Sequence, residues 1–142
     1  MKELSRGYIA SGAINGNRTP QHIQNQIVKL YCDANNLNYV LSRAEYWING
    51  NTTCQLWAAL HEGIKNIVFF SLWQMPEEYN ERIKIYKHCR DHKIKLHFAT
   101  EREKTSMTTE SIIDLELLIQ SKNLISKNGY WHYLDEVKNL IK

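Results

Sequence analysis

Strand-like and helix-like segments alternate through the first hundred residues, and the order βαβαβαβ predicts an α/β domain on a parallel sheet. Two further observations agree. The run "NIVFFSLW", Asn66 to Trp73, is nearly continuous apolar sequence, as a central parallel strand covered on both faces requires. Helix-opening chemistry, Thr19-Pro20 and Pro76, stands where right-handed crossovers would begin. The expected fold is a single domain, residues 1–142. It has a βαβαβαβ core over 1–107, a sheet of about four strands in the order 2-1-3-4, helices on both faces, and a C-terminal helical pair over 108–142.

Residues 4–10 read as the first strand. Thr19 is a good N-cap and Pro20 suits the first helical position, and Ile23, Ile27, Leu30, Tyr31 and Ala34 then recur at helical spacing. Asn35 and Asn36 stop that helix. "LNYVLS", Leu37 to Ser42, is the second strand, followed by the polar and aromatic loop "RAEYWINGNTT". Thr53 caps a short helix bearing Leu56, Ala59 and Leu60, and Gly63 ends it. After the central strand, Pro76 opens a third helix with Tyr79, Ile83, Tyr86 and Cys89 on one face. "KIKLHFAT", Lys93 to Thr100, is the fourth strand, and 101–107 reads as a loop. The helix expected from Thr108 or Thr109 to Ser121 is apolar on more than one face, which calls for cover on both sides by the last helix or by a partner subunit, and a homodimer is expected on that argument. "GYWHYLDEVKNLIK" gives the last helix.

The composition excludes several classes. Hydrophobic residues make up 43% and charged residues 23%, as in an ordinary globular chain. A net charge of +3 with no basic tail is too weak to imply a specific nucleic-acid partner. Cys32, Cys54 and Cys89 are odd in number and far apart, so neither a disulfide framework nor a cysteine zinc site is expected, and a cytoplasmic home fits. The sequence shows no signal-peptide run and no apolar stretch of about 18 residues, so no membrane role is expected.

In open α/β sheets ligands bind beyond the carboxyl ends of the strands. Four segments converge there: Ser11–Arg18, Arg43–Asn51, Ser71–Gln74 and Ala99–Glu103. Gly12 and Gly16 permit a close backbone approach, and Arg18 adds a bidentate cation beside a helix N-terminus, so an anion is the expected ligand. Asn15, Asn17, Asn49, Trp73 and Gln74 complete the ligand-binding candidates. Glu45 with Tyr46 is the acid–base pair, unless it is a surface Glu beside a packed ring. Ser71 can bind ligand or cap backbone, and Trp73 can stack on a sugar or cover the sheet end. Glu101 and Ser11 are further catalytic candidates, Ser11 as a nucleophile at a strand end. His97 reads as a satisfied interior residue. His88 and His92 have zinc-compatible spacing but no HExxH pattern and no third ligand, so no metal is expected. The loop is neither GxGxxG nor GxxxxGKS, and no cofactor is read.

"GYIAS", "QHIQNQIVKLYCDANNLNYVLS" and "GIKNIVFFSLWQMPEE" resemble the catalytic domain of serine recombinases of the resolvase type, from about Gly7 to Glu101. The resemblance implies a resolvase-like fold. Where that family places an Arg and a nucleophilic Ser after the Tyr, this chain has Ala10 and Gly12, with Ser11 out of phase. Its Asp-Arg pair is replaced by Trp73 and Gln74, so recombination chemistry is not implied. "GYIASGAINGNRTPQHIQNQ", "EYWINGN", "FFSLWQMP" and "LHFATE" resemble more specifically the sporadic carbohydrate cluster proteins of bacterial surface-polysaccharide gene clusters. That family favours Arg-Pro after the first Ser; Gly12-Ala13 here leaves Arg18 as the loop's arginine. This second resemblance implies an enzyme acting on a sugar or nucleotide-activated sugar. The alternative is a non-catalytic interaction subunit of such an enzyme with a degenerate resolvase-like fold.

Overall fold

The structure is a computed structural model that describes residues 2–14, 18–46 and 52–121. The chain divides into two compact units, Met1–Thr108 and Thr109–Lys142. In the second, residues 109–121 are helical, and the expected last helix lies outside the described residues. No helix among the described residues is long and apolar enough to cross a membrane.

The first unit is a five-stranded sheet in the order β2-β1-β3-β4-β5. β1 (Glu3–Ala10), β2 (Leu37–Glu45), β3 (Asn66–Phe69) and β4 (Lys95–Phe98) are parallel, and β5 (Glu103–Thr105) returns antiparallel to β4. The fifth strand corrects the loop expected over 101–107. The chain reverses after β4 through Arg102 at φ 56, whose N–H meets the Ala99 carbonyl at 3.3 Å. Glu103 and Lys104 are exposed on this outer strand, so it carries no apolar pattern to announce it.

Alternate strand residues point to opposite faces, and both faces are buried. On one, α1 (Gln21–Ala34) lays Val28, Tyr31 and Cys32 over Ile9, Leu37, Val68 and Phe70. On the other, Tyr8, Phe69 and Phe98 form a row of rings with centroids 5.0 and 5.1 Å apart. The apolar sides of α2 (Cys54–Leu60) and α3 (Tyr79–His92) are buried as well. Glu62, just past α2, binds Arg6 of β1 at 2.7 Å and Arg43 of β2 at 3.0 Å. Burial works to raise its carboxyl pKa, but the hydrogen bonds from Arg43 and Arg6 outweigh it and hold the group below its usual range.

Two helix starts differ from expectation. Pro20, not Thr19, occupies the cap position of α1, with no side-chain cap; the Pro20 carbonyl takes the N–H groups of Ile23 and Gln24 instead. α3 begins at Tyr79 rather than Pro76. Arg82, 4% exposed, donates to the carbonyls of Pro76 and Glu77 at 3.1 and 2.7 Å, holding 76–78 as a fixed loop.

β1 and β2 fall out of step in mid-strand: Ser5 faces Tyr39, but Gly7 faces Ser42, which puts one extra residue into β2. The bulge brings the Ser42 hydroxyl into the space a Cβ on Gly7 would fill, with Tyr39 Cε1 only 3.1 Å from it. Gly7→Ala is expected to destabilise the fold by about 1–3 kcal/mol, the usual range for overpacking. Adding Ser42→Gly should recover most of that loss in urea unfolding, whereas an unrescued double variant would place the strain elsewhere.

A polar chain crosses the α1 face. The Asn66 amide donates from Nδ2 to Glu3 Oε2 at 2.8 Å, which turns its Oδ1 toward His97 Nε2 at 2.9 Å. Nε2 therefore carries the imidazole proton, and Nδ1 accepts from the Tyr31 hydroxyl at 2.8 Å. His97 is 4% exposed, an interior residue with both nitrogens engaged. Burial above all pushes the Tyr31 phenol up to about 12, keeping it a donor.

Candidate functional site

The strand order reverses at β1 and β3, so their carboxyl ends frame the crevice where this class of sheet holds ligands. At the end of β1 the Ala10 N–H and C=O are both taken by one side chain. Gln24 Oε1 accepts from Ala10 N at 2.9 Å, and its Nε2 donates to Ala10 O at 2.9 Å and Thr19 O at 2.7 Å. Gln24 is fully buried and ties the strand end to the first turn of α1. Sequence reasoning missed it, although Gln24, Val28 and Tyr31 share the buried helical face.

Beside this tie lies a cleft of about 380 Å³ walled by Ser11, Gly12, Arg18, Thr19 and Gln21. Arg18 is exposed on that wall and has no hydrogen-bond or ion partner among the described residues. The Ser11 N–H and hydroxyl both donate to the Glu45 carbonyl, at 2.9 and 3.2 Å, so its oxygen is turned to β2. Asn15, Asn17 and Asn49 lie outside the described residues.

Glu45 is the last residue of β2, and it is 1% exposed. Its carboxylate accepts from the Tyr8 hydroxyl at 2.9 Å and from the N–H groups of Gln55 and Leu56 at 2.9 and 3.2 Å. The group thus caps α2, the task expected of Thr53, which makes no side-chain cap. Burial first, and then the Glu45 charge, push the Tyr8 phenol above its usual range, so Tyr8 stays a donor. Tyr46 is 68% exposed, and no bond joins it to Glu45 among the described residues.

At the end of β3 the structure brings four candidate residues, Ser71, Trp73, Gln74 and Glu101, into one network. Glu101 accepts from the Ser71 hydroxyl at 2.9 Å and from Leu72 N at 2.8 Å. Ser71 Oγ also accepts from Trp73 N at 3.2 Å, and Gln74 Oε1 accepts from Ser71 N at 3.0 Å. These bonds fold Leu72–Gln74 into a 3-10 turn and end the strand at Phe69, short of the expected Trp73. Gln74 is fully buried and its Nε2 has no partner among the described residues. The Trp73 ring packs half-buried against the α1-side core. The Ser71 hydroxyl donating directly to the Glu101 carboxylate is an arrangement in which a base meets a nucleophile.

Among the described residues no group of three or more His, Cys, Asp or Glu could hold a metal ion. The His88 and His92 rings stack with centroids 4.1 Å apart, and each shares a ring proton with a backbone carbonyl, Leu60 O at 3.0 Å and His88 O at 2.9 Å.

No protein-family model and no curated protein matches the chain. Solved structures do. A resolvase family site-specific recombinase from Streptococcus pneumoniae superposes with a TM-score of 0.64 at 12% identity, covering 99% of this chain and 100% of that one. The N-terminal catalytic domain of TP901-1 integrase gives 0.58 at 12% identity, covering 87% and 97%. The fold is resolvase-like.

Proposed function

We propose that the chain acts on a sugar or nucleotide-activated sugar in the making of a bacterial surface polysaccharide, with the ligand's anionic group held at Arg18. The observation that carries this reading is the Arg18 guanidinium, without a partner among the described residues, on a cleft that Gln21 at the start of α1 also lines. A guanidinium binds phosphate through two parallel hydrogen bonds, and the helix N-terminus favours the same charge. The sugar comes from the resemblance to the sporadic carbohydrate cluster proteins. Recombination is not proposed, because Ala10 and Gly12 stand where that chemistry needs an arginine and a serine. Ser71, with Glu101 against its hydroxyl, is the group assigned to the reacting carbon.

The test is thermal stabilisation by CMP-, UDP- and GDP-sugars. At least one should raise the unfolding temperature, and Arg18→Ala should weaken its binding about tenfold or more, the scale of a lost charge-assisted pair. No shift with any of them, together with an Arg18→Ala protein that behaves as wild type, would sink the proposal.

A second reading, a non-catalytic subunit, is favoured by the carboxylates. Glu45 and Glu101 are both committed to backbone N–H groups. Ile113, Leu117 and Leu118 of helix 109–121 are 53%, 57% and 40% exposed, an apolar surface suited to self-association or to a partner enzyme. It predicts co-purification with an enzyme of the pathway and unaltered pathway flux after Arg18→Ala and Glu101→Gln.

A further inference from the structure

A second cleft of about 340 Å³ opens at the other end of the sheet, where the parallel strands begin. His97 and Asn66, 4% and 1% exposed, line it from below. Strand pairing sets its charges. Asn66 lies beside Lys95 and His97 beside Lys104, while Lys95 and His97 are alternate residues of β4. Both ammonium groups therefore rise from one face of the sheet. Neither ammonium group has an ion pair or hydrogen bond among the described residues.

The rest of the rim has the opposite character. Glu3 contributes a carboxylate that Asn66 contacts through one of its oxygens. Asn35 and Asn36 end α1, with Asn36 at φ 57. Asn35 gives its Nδ2 to the Tyr31 carbonyl at 2.8 Å, which leaves its Oδ1 as an acceptor. The carbonyl end of a helix carries partial negative charge. This side repels a bare anion but accepts hydrogen bonds from hydroxyl groups.

We propose that this cleft binds an acidic monosaccharide unit, with its carboxylate between Lys95 and Lys104 and its hydroxyls on Asn35, Asn36 and Glu3. A ligand anionic at one edge and hydroxylated at the other matches both halves of the rim; inorganic phosphate matches only the lysines, and a neutral hexose only the asparagines and Glu3. The site stands apart from the Arg18 cleft and does not depend on it.

His97 is the reporter. Glucuronate is added to the full chain labelled with nitrogen-15, and the His97 ring nitrogens are followed by NMR. Saturable shifts are expected, together with easier protonation of the ring, because a bound carboxylate offsets the two ammonium groups that oppose it. Lys95→Ala/Lys104→Ala should weaken binding about tenfold or more, since both charge-assisted contacts go. Arg18→Ala should leave it unchanged, which separates failure here from failure of the proposed activity. Glucose and inorganic phosphate should each bind about tenfold more weakly than glucuronate. Absence of a saturable shift, or a shift indifferent to loss of both lysines, overturns the site. Phosphate binding as well as glucuronate overturns the saccharide assignment, and glucose doing so overturns the role of the lysines.

Discussion

Glu45→Ala is expected to cost the fold about 3–5 kcal/mol, because hydrogen bonds to a buried charged group contribute about 1.5–3 kcal/mol each and the donors left behind stay dry. Three donors converge on this carboxylate: the Tyr8 hydroxyl and the N–H groups of Gln55 and Leu56. They come from the neighbouring strand β1 and from α2, so removing Glu45 loosens the end of β2 from both. The Tyr8 ring is fully buried and cannot turn its hydroxyl to water. Glu45→Gln keeps one acceptor oxygen but presents an NH₂ to the remaining donors, so it should lose a smaller share. Urea unfolding of the two variants measures both losses. A surface or purely catalytic Glu45 would leave the midpoint unmoved, and that outcome would overturn the structural role.

How much of this was legible in sequence depends on the range of each contact. The four parallel strands and their order followed from local apolar pattern and from connection rules, which act within single elements and crossovers. β5 was not legible, since an exposed edge strand with one buried position, Thr105, carries no periodicity. The apolar pattern ends the second strand at Ser42 and leaves Glu45 in a loop, whereas the strand runs on to Glu45. The true environment of its carboxylate is a helix start ten residues later, a contact that no local pattern encodes. Ser71 and Glu101 were both named as candidates from their positions at strand ends, and the structure joins them across thirty residues. Their joining also explains the false extension of β3: an apolar run predicts burial, but the Glu101 carboxylate on Leu72 N turns the chain at Ser71. Gln24 was invisible for the converse reason. A polar residue in the buried face of an amphipathic helix reads as noise until the strand end it bonds is in place.

Acid should destabilise the protein through His97. Burial is the first cause of its lowered pKa, Lys104 and Lys95 add to it, and Glu3 opposes; the result is about 4, against an ordinary imidazole value of 6.5. Between those values the unfolded chain binds a proton that the folded chain does not. Stability from this group is thus complete above about pH 6.5, falls as the pH drops through the window, and levels off below about pH 4. The shift corresponds to about 3 kcal/mol, at 1.36 kcal/mol for each pKa unit. The bonds explain why the ring resists the proton. Nε2–H is already committed to Asn66, and a proton on Nδ1 would face the Tyr31 hydroxyl, which now donates to it. His97→Gln removes the titration while keeping an amide able to meet both neighbours. It should be less stable than wild type at pH 7, and that deficit should shrink by about 3 kcal/mol by pH 4. Other acid-sensitive groups, Glu62 among them, are common to both proteins and cancel in the difference. A deficit that stays constant from pH 7 to pH 4 would mean that His97 titrates alike in the folded and unfolded chains, and the buried chain from Tyr31 to Glu3 would then not hold the ring neutral.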